Sequence, residues 1–141
     1  MDPRSQAIGD LFANLSDHNL RERVLGELYA DTVVFQDPIQ RVEGLAAFRQ
    51  ALASMEKSLK GLEVRLISDA VGENQLVIRW EMDFRVPLVP FKATLPGVSW
   101  MEFNGAGKCY RHTDYWDMLG MFAQLLPFVK PIQKLLQRAA A

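Results

Sequence analysis

Ile78-Arg79-Trp80-Glu81-Met82-Asp83-Phe84-Arg85 alternates apolar and charged residues at every step. Successive side chains of a β-strand point to opposite faces. Ile78, Trp80, Met82 and Phe84 therefore form a core face, and Arg79, Glu81, Asp83 and Arg85 a solvated or paired one. The charged set is most simply read as cross-strand pairing. Upstream, Leu62, Val64 and Leu66 repeat the alternation, and Gly72-Glu73-Asn74 joins the two runs as a hairpin turn. Downstream, Pro87, Pro90 and Pro96 predict a long loop over residues 87–97, because proline cannot donate to a strand ladder. Val98 to Phe103 returns to strand. Asn104-Gly105 is a strong hairpin signal, and Lys108 to Trp116 is the partner strand.

Before this meander the period is helical. Ile8, Leu11, Phe12 and Leu15 mark an amphipathic helix over residues 5–15. Asn19 with Glu22 resembles a capping box for a second helix, whose buried stripe is Leu20, Val24, Leu28 and Tyr29. Val33-Val34-Phe35 reads as a short strand ended by Asp37-Pro38. Gly44 opens a third helix with Leu45, Phe48, Leu52, Met55 and Leu59 on its core face. After Met118 a helical tail resumes, with Phe122, Leu125, Leu126 and Val129, interrupted or split by Pro127 and Pro131. Ile132, Leu135 and Leu136 continue it. Helices followed by a run of strands indicate α+β packing: a curved antiparallel sheet wrapped around N-terminal helices, cone-shaped, in the manner of a cystatin-like α+β roll. A single domain over residues 1–141 is expected, with a core at about 5–117 and a tail at about 118–139. A helix-covered sheet of this length must curl, which leaves a partly filled apolar hollow.

Composition narrows the function. The chain has 141 residues, 49% hydrophobic and 23% charged, with a formal net charge of −1. No basic cluster suits a nucleic-acid binder. The single cysteine, Cys109, excludes an internal disulfide and fits a reducing compartment. The start lacks a secretory pattern, no apolar run is long enough to span a bilayer, and a cytoplasmic location is the default expectation. Two histidines and one cysteine offer no metal-ligand spacing, so neither metal nor cofactor is expected.

Two stretches resemble the nuclear transport factor 2-like superfamily, in its SnoaL-like and ketosteroid-isomerase-like branch. The first is Tyr29-Ala30-Asp31-Thr32-Val33-Val34-Phe35-Gln36-Asp37-Pro38 with Gly44 beyond it. The second is Phe103-Asn104-Gly105-Ala106-Gly107-Lys108 followed by His112-Thr113-Asp114-Tyr115-Trp116-Asp117. The resemblance implies the cone-shaped fold and a homodimer through the outer sheet face. It also implies a general base at Asp37, where ketosteroid isomerases carry the aspartate before the proline. Their tyrosine and protonated aspartic acid, which hold the oxyanion, fall at about Leu11 and at Ser99. Leu11 donates nothing and Ser99 only one weak bond. Each such donor is worth roughly 3–4 kcal/mol of barrier, which disfavours steroid isomerisation by that route. Asp114 is the nearest match to the acidic residue that SnoaL-like cyclases use on the last strand.

Strand parity places His112, Asp114 and Trp116 on one face, towards the hollow, and Arg111, Thr113, Tyr115 and Asp117 on the other. Cys109 falls opposite His112 and Asp114, which excludes a Cys109–His112–Asp114 nucleophile. Asp37, His112 and Asp114 are the candidate catalytic residues, because an apolar chamber disfavours a carboxylate's charge and suits it to proton transfer. Phe12, Tyr29, Phe35, Trp80, Met82, Phe84, Ser99, Met101 and Trp116 are the expected lining of a pocket for a small apolar organic molecule. Plainer readings stand beside these. Asp37 can simply bond backbone amides in a turn. His112 and Asp114 can simply bond each other. Trp80, Trp100 and Trp116 read more readily as core than as ligand platform. The tail reads better as a lid or a strap on a dimer partner than as a membrane-surface helix, because its prolines spoil a continuous one. The leading expectation is an isomerase, cyclase or hydrolase that moves protons on an apolar carbonyl compound or epoxide. The alternatives are a non-catalytic binding module for a lipid-like or aromatic molecule, and a dimeric interaction scaffold.

Overall fold

A computed structural model describes residues 1–141. Helix α1 (Pro3–Ala13) starts earlier than its apolar spacing predicts, because Asp2 caps it by accepting from the Arg4 amide and Pro3 occupies the first turn. Helix α2 (His18–Leu28) is capped by Asp17, whose carboxylate accepts from the Leu20 amide. The expected Asn19–Glu22 box is thus inside the helix. Strand β1 (Tyr29–Gln36) follows without a loop. Tyr29 lies in this strand, not on the helical stripe, because its backbone is extended and pairs opposite Cys109. A short strand β2 (Arg41–Glu43), which the periodicity missed, leads to α3 (Leu45–Ser58). Gly44 sits before α3 at a φ of 90°, which favours glycine.

The meander comprises β3 (Lys60–Gly72), β4 (Gln75–Arg85), β5 (Ala93–Phe103) and β6 (Cys109–Trp116). All six strands form one sheet in the order β2-β1-β6-β5-β4-β3. Every pairing is antiparallel except β1 with β6, which is parallel. The sheet is therefore mixed, since β1 enters from the helical half beside the last strand. β5 begins inside the segment expected to be loop. Pro96 pairs opposite Glu81, while pairing with β6 begins only at Gly97. The stretch from Ala93 to Pro96 thus has one sheet neighbour, a position that tolerates proline.

Parity is broken at Cys109. Glu102 pairs with Arg111 and Phe103 with Cys109, so Tyr110 is an extra residue in β6. The bulge turns Cys109 into the core, where it is fully buried, correcting the expectation that it faces outward. Trp100 is also corrected: it stands on the convex sheet face, 44% exposed. Leu11, Leu25, Val33, Phe35, Phe48, Leu52, Leu76, Ile78 and Met101 build the dry centre between helices and sheet. Helix α4 (Met118–Leu125), a 3-10 turn at Pro127–Val129 and α5 (Lys130–Ala140) complete the chain. Pro127 and Pro131 each open a helical segment, so the tail is split but neither half is spoiled.

Candidate functional site

Between α3, the concave side of the sheet and α4 lies a partly open cavity of about 310 Å³. Met55, Leu59, Trp80, Met82, Leu95, Met121 and Phe122 form much of its apolar wall, and Asp37, Gln40, Ser54, Ser58 and Asp114 supply its polar groups. A larger hollow of about 470 Å³ lies on the convex face, lined by Trp100, Glu102, Arg111, Thr113 and Tyr115 among others. It holds no buried acid. The buried side chains His112, Ser99 and Asp114 lie on the concave side.

These residues belong to a connected chain of side chains. Trp80 Nε1 donates to Ser99 Oγ at 2.9 Å, and Ser99 Oγ donates to Asp114 Oδ1 at 2.5 Å. His112 Nε2 lies 2.8 Å from the same Oδ1, and His112 Nδ1 lies 2.7 Å from the Tyr29 hydroxyl. Burial holds the Tyr29 hydroxyl well above its ordinary value of 10.0, so Tyr29 keeps its proton and donates. His112 Nδ1 is then the acceptor, and Nε2–H donates to Asp114 Oδ1. Phe12, Phe35 and Phe48 surround the His112 ring edge-to-face at centroid distances of 6.3, 5.2 and 6.1 Å. The Tyr29 ring lies nearly parallel to the imidazole, its centroid 5.9 Å away, joined to it by the hydroxyl–Nδ1 bond.

The bonding singles out one atom. Both hydrogen bonds to Asp114 end on Oδ1, while the residue lines the cavity. Oδ2 is left without a protein partner and borders open space. A separate small hollow of about 10 Å³ beside Trp80, Ser99 and Asp114 has the size of one water site. A proton arriving at or leaving Oδ2 disturbs neither bond to Oδ1.

Asp37 also lines the cavity, but its carboxylate is engaged locally. Oδ1 accepts from the amides of Ile39 at 2.8 Å and Gln40 at 3.0 Å, and Oδ2 faces the Gln40 side-chain amide at 3.4 Å. The geometry is that of a turn former at the cavity rim. His112 and Asp114 are in contact, and Asp37 joins neither by a hydrogen bond. Of the expected lining, Phe35, Trp80, Met82, Phe84 and Trp116 border the cavity, and Phe12 and Ser99 border the separate small hollow. Tyr29 and Met101 are buried deeper, in the core. The α3 residues Ala51, Ser54, Met55 and Ser58 and the α4 residues Met121, Phe122 and Leu125 complete the wall. Met55 was legible only as a core position of α3. The sequence reads the tail as a lid or a dimer strap, and its first helix, α4, does border the cavity. No three metal-ligating side chains converge anywhere in the chain.

A family model described as the SnoaL-like domain matches residues 8–112. No curated protein matches the chain by sequence. Among solved structures, a hypothetical protein with a ketosteroid isomerase-like fold from Catenulispora acidiphila, in complex with trimethylamine, is similar at a TM-score of 0.73 and 16% identity, over 89% of this chain and 94% of that one. An epoxide hydrolase from M. tuberculosis, described as LEH-like, is similar at 0.66 and 17%, over 88% and 90%. A protein from Shewanella denitrificans assigned as a SnoaL-like polyketide cyclase is similar at 0.69 and 17%, over 88% and 98%. At these identities the likeness establishes the cone-shaped nuclear transport factor 2-like fold.

Proposed function

The chain belongs to the SnoaL-like domain family, and on that premise we propose that its concave cavity performs proton transfer on a small apolar carbonyl compound or epoxide. Asp114 is the general acid/base. The observation that carries this reading is the asymmetry of its carboxylate, with Oδ1 fixed by Ser99 and His112 and Oδ2 left to the cavity. As base, Oδ2 takes a proton from carbon next to a carbonyl, or from a water attacking an epoxide. As acid, it returns that proton to the product. His112 is a positioning residue, held by Tyr29 and aimed at Oδ1. Asp37 shapes the rim. The fold's relatives described as a polyketide cyclase and an epoxide hydrolase support this substrate class. Residues 1–141 are read as one domain, with α4 closing the cavity.

The test uses styrene oxide hydrolysis and deuterium exchange next to the carbonyl of 2-tetralone. Asp114→Asn should lower whichever rate the wild type shows by about 10²–10⁴-fold, whereas Asp37→Asn should change it by less than about tenfold. Wild-type turnover that survives Asp114→Asn unchanged would overturn the assignment.

A second reading has its own support in the lining, where 14 of 19 residues are hydrophobic. On that reading the cavity binds an apolar molecule without chemistry. Trp80→Ala or Met82→Ala should then weaken binding of an apolar fluorescent probe, and Asp114→Asn should leave it almost unchanged. Equal affinity in all three variants would count against a binding cavity. We further infer a homodimer through the convex sheet face, where Trp100 and Tyr115 stand exposed beside Glu102 and Arg111. A dimeric scaffold without a ligand has the least support, since it leaves the buried polar chain unused.

A further inference from the structure

We propose that α5 is a docking helix for an anionic phospholipid surface. Ile132, Leu135 and Leu136 lie on one side of α5 and are 53%, 65% and 52% exposed. Phe128, in the turn just before, adds a ring that is 70% exposed. No residue of α5 is buried against the rest of the chain. Lys130, Lys134 and Arg138 recur every fourth residue, which places them in one row on the opposite side. No acidic residue follows Asp117. An apolar stripe backed by a row of cations, with no acidic side chain on the same segment, is the pattern of a helix lying in the plane of a membrane interface. The 11 residues of α5 rise only about 16 Å, and no helix of the chain is long and apolar enough to cross a membrane.

Charge decides between a bilayer and a second copy of this chain. Packing the α5 stripe against the same stripe of a second copy leaves both cation rows on the outer sides of the helix pair, with no anion of the tail to meet them. An anionic lipid surface complements each cation, and the long Lys and Arg stems reach its headgroups while the leucines enter the acyl boundary. The placement is also specific. α4, which leads into α5, carries Met121, Phe122 and Leu125 into the cavity wall. Gln124 ties α4 to the start of β5 by accepting from the Thr94 amide at 2.8 Å and donating to its carbonyl at 2.9 Å. The docking helix thus follows, after one 3-10 turn, the helix that walls the cavity. The docking stands whether or not the cavity is catalytic.

The test is co-sedimentation of the full chain with phosphatidylcholine vesicles, with and without about 30% phosphatidylserine. The wild type should partition onto the anionic vesicles, and added salt should release it. Replacing Lys130, Lys134 and Arg138 together by Gln should weaken that partition about 100-fold, at about fivefold per cation. Leu135→Ser with Leu136→Ser should abolish it. Since α5 buries nothing, these variants should unfold at the wild-type temperature. Absence of wild-type binding to anionic vesicles, or full binding by the Gln variant, would overturn the proposal. So would a concentration-dependent oligomer that the two Ser substitutions dissolve, since the stripe would then belong to a second copy.

Discussion

At the scale of the residue, burial decides what each reactive group can do. Cys109 lies at the bulge of β6 with its thiol donating to the Arg111 carbonyl. Burial pushes that thiol up to about 12, so near neutrality it stays protonated and unreactive. Iodoacetamide at about pH 8 should therefore leave Cys109 unmodified in the folded chain and alkylate it after unfolding in guanidinium. Rapid labelling of the native protein, read by intact mass, would show that the bulge opens. The same scale separates the two acids. Both Asp37 and Asp114 are acids that border the cavity. Asp37 has backbone amides two and three residues away to accept from, so its turn captures it. Asp114 is in mid-strand, where the backbone bonds belong to the ladder, and its oxygens must find side chains or open space. The family resemblance named both residues, but only their hydrogen-bond partners tell them apart.

At the scale of the element, β3 and β4 are stitched by a charged cluster. Arg65 holds the Asp83 carboxyl well below its ordinary value of 3.8, with Thr94 and Lys92 adding to the effect. Arg65 Nη1 lies 2.8 Å from Asp83, the Thr94 hydroxyl 2.8 Å and Lys92 Nζ 3.2 Å. A carboxyl whose folded value is depressed stabilises the fold above its unfolded value, and the stabilisation is lost as pH falls towards the folded one. Thermal unfolding should therefore fall in temperature between about pH 4 and pH 2, and Asp83→Asn should flatten that slope while lowering Tm at neutral pH. Identical slopes for both proteins would remove Asp83 from the acid response. The alternation of residues 78–85 foretold charge pairing on this face. It did not foretell that Asp83 would be the residue buried among three partners, because that depends on where the loop carrying Lys92 returns.

At the scale of the whole molecule, sheet curvature gives the protein two unlike faces. The concave face holds the apolar cavity and the buried polar chain. The convex face exposes Trp100 and Tyr115 between Glu102 and Arg111. A homodimer through that face predicts a sedimentation coefficient for about twice the chain mass of 16.0 kDa, reduced to the monomer value by Trp100→Glu. A wild type that sediments as a monomer at micromolar concentration would place the dimer elsewhere or nowhere. The α4–α5 tail adds a third surface, and its amphipathic half is the part of the chain with the least packing against the rest.

Local pattern determined the elements of this chain. Alternation in β4, the Asn104-Gly105 turn and the helical stripe of α3 are short-range signals, and each element formed because its own residues favour one period and one buried face. Motif residues were enough to identify the superfamily, and parity was enough to turn His112 and Asp114 inward together. Tertiary structure decided the rest: the parallel pairing of β1 with β6, the bulge that buries Cys109, the outward turn of Trp100, the α4 wall of the cavity and the free oxygen of Asp114. All of these depend on contacts between segments far apart in the chain, where the energy of packing and of buried hydrogen bonds outweighs what neighbours in sequence prefer.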